Sequence, residues 1–167
     1  MEKQTLLFRQ PGVDFCTLFS CQDSETRSFP SYNMNIDNIL LDSISEQARR
    51  SPRLRQHYDL RDGDADGSQR MLNALEPGTV LPIHRHRDTS ETIVILRGRA
   101  TQLLYDDMGR VVEQVELTPG GPNYGMKVEA GRWHRLVCQE SGTVIIECKN
   151  GFWSPLAQED ILPESGE

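Results

Sequence analysis

The sequence lacks the features that mark several large classes of protein. Its 167 residues include no apolar run near the ~18 residues of a membrane-spanning helix, and residues 1–12 lack the apolar core of a secretory signal. Lysine and arginine number 18 against 25 acidic residues, and a net charge of −7 disfavours nucleic acid and anionic membranes as partners. We therefore expect a cytoplasmic protein that binds neither nucleic acid nor membrane.

Cysteine is also scarce, and its four residues are Cys16, Cys21, Cys138 and Cys148. A domain of this length can bury a core without disulfide bonds, so we expect reduced thiols in a reducing compartment. Cys16 and Cys21 are close enough in sequence to pair, and the sequence leaves that question open.

The hydrophobic pattern predicts one helix followed by β structure. Asp37 suits an N-cap, Leu40, Ile44 and Ala48 recur at helical spacing, and Pro52 ends the element. From residue 71 onward, short apolar or alternating runs separated by turn residues predict a barrel or sandwich. The predicted strands are 71–75, 83–86, 92–96, 100–105, 111–117, 124–128, 133–139 and 143–149.

These elements divide the chain into four parts. They are an extension of uncertain structure (1–35), a helix and connecting segment that pack on the barrel (36–70), the barrel (71–153) and an acidic tail (154–167). We expect residues 51–70 to form a solvated, turn-rich loop and the tail to be mobile surface. The strand at 92–96 is apolar on both faces, which indicates that the helix or a second subunit covers it and favours a homodimer.

Three of the four histidines fall in a pattern that suits a metal site. His84 and His86 are two residues apart, so on a strand their side chains point to the same face. Glu91 opens the next strand, and His134 lies on a strand far downstream. Three imidazoles and a carboxylate form a nitrogen and oxygen site for one divalent transition metal, such as iron, zinc, manganese or nickel.

The spacing of these residues resembles the cupin superfamily. Gly78, five residues, His84-x-His86, four residues, Glu91, six residues and Gly98 reproduce the first cupin motif, and Gly131-x-x-His134 gives part of the second. Glu129 and Cys138 replace the proline and asparagine that are common in the second motif. The resemblance implies a mostly β fold, the double-stranded β-helix or jelly-roll barrel, here with one N-terminal helix, and the four residues as metal ligands.

A narrower resemblance, to the WbuC-type cupin-fold metalloproteins, runs from about residue 36 to 149. It rests on the helix, Ser51-Pro52-Arg53, His57, Gln69-Arg70, the segment 73–78, His84-Arg85-His86, residues 96–99 and Gly131-x-Trp133-His134. That family occurs in bacteria, often near genes for surface-polysaccharide synthesis. The resemblance therefore implies a bacterial protein and a sugar derivative as a plausible substrate.

Five further residues are candidates for a role beside the metal. Arg53 and His57, with Arg55 between them, can bind an anionic substrate at the barrel mouth or can form ordinary helix-end salt bridges. Arg99 and Tyr105 can anchor a substrate or transfer a proton, although such side chains more often fill space. Cys138 shares a strand face with His134 and either lines the pocket or packs in the core. Trp133 should face away from the metal.

Two classes of function remain open. The first is an enzyme that acts on a small polar or anionic molecule, as a dioxygenase with iron or as an isomerase or epimerase with zinc, manganese or nickel. The second is a non-catalytic module that binds metal or ligand for a regulatory purpose. The fold cannot decide between them, because one fold supports many activities.

Overall fold

The computed structural model describes residues 33–163. The predictions that concern residues 1–32, including the pairing of Cys16 with Cys21, lie outside these residues. One α-helix, α1, spans Asn38–Arg50, and a short 3₁₀ helix spans Gln158–Asp160. The strands are β1 (Arg55–Asp59), β2 (Ser68–Leu75), β3 (Ile83–His84), β4 (Glu91–Arg97), β5 (Ala100–Tyr105), β6 (Val111–Leu117), β7 (Gly125–Val128), β8 (Trp133–Cys138), β9 (Thr143–Asn150) and β10 (Ile161–Leu162).

These strands form two antiparallel sheets. The first has the order β1-β2-β9-β4-β7 and the second the order β10-β3-β8-β5-β6. Side chains from both sheets meet in one buried core, which includes Leu75, Ile93 and Ile145 of the first sheet and Ala100 and Leu136 of the second. The predicted fold class, mostly β with one N-terminal helix, is confirmed. No helix within residues 33–163 is long and apolar enough to cross a membrane.

Helix α1 covers the outer face of the first sheet. It begins where the Asp37 carboxylate accepts a hydrogen bond from the Leu40 amide at 3.0 Å, as its N-cap position predicts. Buried Leu41, Ile44 and Ala48 pack against the outward residues Leu72, Ala74 and Val144 of β2 and β9, and Leu96 of β4 joins this cluster. Each large apolar side chain buried here contributes about 1.5–3 kcal/mol. The helix therefore covers the end of β4, the strand that the sequence predicted to be apolar on both faces.

Two segments differ from the sequence prediction. Residues 51–70, expected to be a loop, contain β1, which pairs antiparallel with β2 from Arg55↔Leu75 to Asp59↔Met71. The tail, expected to be mobile surface, contains β10, which pairs with β3. Both strands lie at sheet edges, where an unpaired backbone needs a partner and where polar side chains are tolerated. Because the composition of these two strands is polar, the hydrophobic pattern of the sequence did not predict them.

Candidate metal centre

The four predicted ligands come from both sheets and converge at one end of the barrel. His84 on β3 stands directly opposite His134 on β8, and His86 follows β3 in the turn toward β4. Glu91 is the first residue of β4 in the other sheet and is almost completely buried. One ligand atom from each of the four residues lies within 4.8 Å of the others. The cluster can therefore hold a single metal ion.

Hydrogen bonds fix the orientation of two imidazole rings. Nδ1 of His84 lies 3.1 Å from the carbonyl oxygen of Pro82, and Nδ1 of His134 lies 2.8 Å from that of Arg132. Because a carbonyl can only accept, Nδ1 is the protonated nitrogen in each ring and Nε2 carries the lone pair. Such contacts to the second ring nitrogen are typical of histidines that bind a metal through the first.

The buried Nε2 atom of His134 gives a direct test of fit. It has no hydrogen-bond partner in residues 33–163 and lies 3.3 Å from Oε1 of Glu91. A lone pair facing a carboxylate oxygen at this distance is unfavourable unless a cation lies between them. The residues present therefore fit a bound divalent metal.

The charges of the site agree with that fit. Burial lowers the pKa of His84 to about 4, so its ring is neutral at pH 7. Burial raises the pKa of Glu91, but contacts with the imidazoles of His134 and His86 outweigh burial and lower it. Nε2 of His86 lies 3.1 Å from Oε2 of Glu91. A neutral His84 and an ionised Glu91 are in the protonation states that a transition metal requires of such ligands.

Two neighbouring cavities that share lining residues border the ligands. The inner cavity, of about 310 Å³, is lined by Glu91, His134 and His84. The outer cavity, of about 760 Å³, is lined by His84 and His86 and opens to solvent. Their volumes lie in the range of small-molecule sites. Arg55, Asn73, Glu147 and Leu156 also line both cavities.

Polar residues that the sequence did not single out surround the cluster. Asn73 on β2 donates a hydrogen bond to Glu147 on β9 at 3.3 Å, and burial, followed by the charge of Glu91, raises the pKa of Glu147 to about 8. Nζ of Lys149 lies 3.2 Å from Nδ1 of His86. The sequence feature that could have identified these residues is a polar side chain at an inward-facing position of an otherwise apolar strand.

Gln102 on β5 is a second residue that the sequence prediction missed. It is fully buried and lines the inner cavity with Glu91 and His134. Neither polar atom of its amide has a hydrogen-bond partner in the part of the chain that the structure describes. An amide left without partners costs about 1–3 kcal/mol, so Gln102 is placed to bind a molecule or a water in that cavity.

The structure separates the five predicted candidates. Arg53 and His57 line the outer cavity. Arg99 is exposed in the turn between β4 and β5, where its backbone bonds to Thr143. The other two candidates, Tyr105 and Cys138, pack elsewhere in the fold.

Tyr105 packs with Ile83 and Trp133 on the outer face of the second sheet. Cys138 lies in the core, where its thiol donates to the Leu75 carbonyl at 3.4 Å. Cys138 does share a face with His134, but four residues along a strand place it ~13 Å away. Trp133 faces away from the ligands as predicted, and its indole donates to Asp107 at 3.0 Å.

The C-terminal segment forms one wall of the outer cavity. Trp153, Leu156 and Ile161 line that cavity, and β10 holds the segment to β3. Two arginines bind the carboxylate of Asp160: Nε of Arg85 at 3.0 Å and Nε of Arg87 at 2.6 Å. The segment that was expected to be mobile is therefore tied beside the site.

We expect Asp160→Asn to loosen this wall without removing metal. Loss of the charge weakens the bonds to both arginines, and we predict that amide hydrogen exchange at Ile161 and Leu162 accelerates about tenfold, equivalent to ~1.4 kcal/mol. The matched control is Glu159→Gln, because this neighbouring carboxylate is exposed. Equal exchange in the two variants would show that strand pairing alone holds the segment.

Comparison with known proteins gives a partial family match and several similar structures. Residues 36–117 match a family described as "Domain of unknown function (DUF6016)". A search of curated protein sequences found no significant match. Among solved structures, KdgF from Halomonas sp. is similar with a TM-score of 0.50 at 16% identity, over 62% of this chain and 84% of that one.

Two further structures align over smaller parts of their own length. A sugar phosphate isomerase of the cupin superfamily from Silicibacter pomeroyi aligns with a TM-score of 0.46 at 21% identity, over 57% of this chain and 59% of that one. CapF, a capsular polysaccharide assembling protein from Staphylococcus aureus, aligns at 0.49 and 18%, over 64% and 30%. The chain thus spans less than two thirds of either protein. The Silicibacter protein is described as a cupin, and the two antiparallel sheets of this chain fit a jelly-roll fold.

Proposed function

We propose that this protein is a metal-dependent cupin enzyme that acts on a small polar or anionic molecule. His84, His86, Glu91 and His134 would hold one ion of iron, zinc, manganese or nickel. The observation that carries the proposal is that two residues of this ligand cluster, His84 and His86, line a cavity with an opening to solvent. A buried structural metal would not need a cavity of that size beside it.

Residues of the chain would bind and orient the substrate. When bound, such a metal polarises a substrate oxygen or, if it is iron, activates dioxygen. Asn73 and Glu147 present amide and carboxyl groups to both cavities, and Gln102 presents an unpartnered amide to the inner one. Leu156 and the rest of the C-terminal wall would limit the entry of water.

The reaction is either that of a dioxygenase or that of an isomerase or epimerase. The resemblance to WbuC-type proteins favours a sugar derivative of bacterial surface-polysaccharide metabolism as the substrate. The WbuC-type assignment, the cytoplasmic location and the homodimer stay predictions.

A non-catalytic metal or ligand-binding module is the second candidate. One observation favours it: four protein ligands are enough to complete a tetrahedral site, and closed tetrahedral sites are typical of structural zinc. A metal with more coordination positions would keep some open for water or substrate. The two candidates therefore differ in whether water reaches the metal.

Water exchange at the metal tests the proposal. We expect one Mn²⁺ per chain after loading, and we expect the bound ion to relax bulk water protons faster than free Mn²⁺ does, because a water on the metal exchanges through the outer cavity. Elemental analysis of anaerobically purified protein would identify the native metal, and near one iron per chain would lead to oxygen-consumption screens. Relaxation slower than that of the free ion would indicate a closed site and favour the non-catalytic module.

A further inference from the structure

Arg53 and Arg55 bring two cationic side chains to the outer cavity of this acidic protein. Arg61 in the same cavity is paired with Asp59 at 2.7 Å. Arg53 and Arg55 form no ion pair with any carboxylate in residues 33–163. Nη1 of the Arg55 guanidinium donates a hydrogen bond to the carbonyl oxygen of Val80 at 2.7 Å.

The two guanidinium groups also disfavour each other. Burial, followed by the positive charge of Arg53, lowers the pKa of Arg55. Partly burying a cation beside a like charge costs free energy unless an anion compensates it. The sequence left two interpretations of these residues, helix-end salt bridges or an anion site, and the described residues contain no such salt bridge.

The backbone between the two arginines is held in a strained conformation. Leu54 has φ 54°, in the left-handed region that costs a residue other than glycine about 1–2 kcal/mol. Its amide donates to the Ser51 carbonyl and its carbonyl accepts from the Glu76 amide, both at 2.9 Å. Such strain persists where the surroundings enforce it, and it is concentrated at ligand-binding positions. The turn therefore fixes where Arg53 and Arg55 project.

The position of Arg55 links the arginines to the metal centre. Arg55 lines the outer cavity with Arg53 and His57, and it also lines the inner cavity with Glu91 and His134. His57 and Arg55 are two residues apart on β1 and so share its inward face. An anion bound to Arg55 would thus leave the remainder of its molecule between the arginine and the metal ligands.

We propose that Arg55, with Arg53 and His57 beside it, is the subsite for an oxyanion of the substrate, a carboxylate or a phosphate. The planar guanidinium matches either group through paired N–H donors, which a lysine cannot reproduce. The second part of the inference, that the other end of the same molecule reaches the metal, rests on the proposed function. The oxyanion subsite itself does not require the metal.

Calorimetric titration of metal-free protein with two probes tests the subsite. Inorganic phosphate and malonate are titrated separately at constant ionic strength into wild type, Arg55→Gln and Arg99→Gln, the last being an exposed arginine outside the cavities. We expect wild type to bind at least one probe and Arg55→Gln to bind it at least tenfold more weakly, equivalent to ~1.4 kcal/mol. Arg99→Gln should match wild type, and the preferred probe identifies phosphate or carboxylate.

A second variant protects this test from a folding defect. Arg55→Lys keeps the charge but removes the guanidinium fork, so it should fold as wild type does and still bind the probe more weakly. Equal affinity in wild type and both Arg55 variants, or no binding of either probe to wild type, would overturn the subsite.

A parallel titration with MnCl₂ separates this inference from the proposed function. We expect Arg55→Gln to bind Mn²⁺ as wild type does, because Arg55 is not a ligand. Probe binding that depends on Arg55 in a protein that takes up no metal would leave the subsite standing and refute the metalloenzyme. Normal metal uptake with probe binding that is independent of Arg55 would refute only the subsite.

Discussion

Replacing His84 and His134 together with alanine is expected to abolish metal binding, from near one ion per chain to below about a tenth. The two rings face each other across β3 and β8, and the hydrogen bonds to Pro82 and Arg132 direct an Nε2 lone pair from each toward the cluster. Loss of a hydrogen-bond partner of a metal ligand already costs ~10–100-fold in affinity, so loss of two ligands should cost at least about a thousandfold. His86 and Glu91, left alone, form a simple side-chain pair.

The matched control for this experiment is His57→Ala. It removes the remaining histidine, which lines the same outer cavity but lies outside the cluster. Elemental analysis after anaerobic purification and titration with ZnCl₂ would measure metal in all three proteins, with melting curves beside them. Equal metal content in the double variant and the wild type would refute the metal centre. A double variant that unfolds when metal is lost would favour a structural metal, since metal binding is then coupled to folding.

Gly98→Ala is expected to lower the free energy of unfolding by about 3 kcal/mol. Gly98 lies in the turn between β4 and β5 with φ +76°, and an added Cβ atom would lie 2.7 Å from the Cα atom of buried Thr143. The backbone of Thr143 cannot move aside as the end of a flexible side chain can. The Thr143 hydroxyl also accepts a hydrogen bond from the Arg99 amide and donates one to the Arg99 carbonyl. The substitution therefore combines a left-handed strain of about 1–2 kcal/mol with overpacking of about 1–3 kcal/mol.

The chain offers a close control for Gly98. Gly109 has φ +75°, but nothing lies within 4 Å of the position its Cβ atom would take. Only backbone strain should therefore destabilise Gly109→Ala. We expect its melting temperature to fall by roughly 3 °C, against roughly 10 °C for Gly98→Ala. Equal melting temperatures for the two variants would contradict the role assigned to Thr143. The close approach also explains why the metal motif ends in glycine at this place.

The metal cluster was predictable because its information is largely local. The sequence prediction grouped His84 with His86 by strand alternation, and the recognisable motif supplied Glu91 and His134. In the structure β3 ends at His84, and His86 joins the cluster from the following turn. The helix was predictable for a similar reason, since the N-cap Asp37 and the spacing from Leu40 to Ala48 lie within one element.

The alternation of side chains along a strand did not by itself predict whether a residue lies at the metal site. Cys138 shares the face of His134 but lies in the core, and Tyr105 packs on the outer face of its sheet. The sequence of one strand predicts to which side of the sheet a side chain points. How deeply that side chain is buried in the barrel depends on the position of the other sheet. Candidates of this kind need the three-dimensional structure.

The sequence by itself therefore determined the fold class, the helix and the identity of the candidate ligands, because periodicity and motif spacing are written in neighbouring residues. Tertiary structure alone decided that two polar edge segments become β1 and β10, since their stability comes from pairing with distant strands. It also decided that Arg55, Asn73 and Glu147 share the cavities of the metal ligands. Those residues are brought together by the closure of two sheets, which no local pattern records.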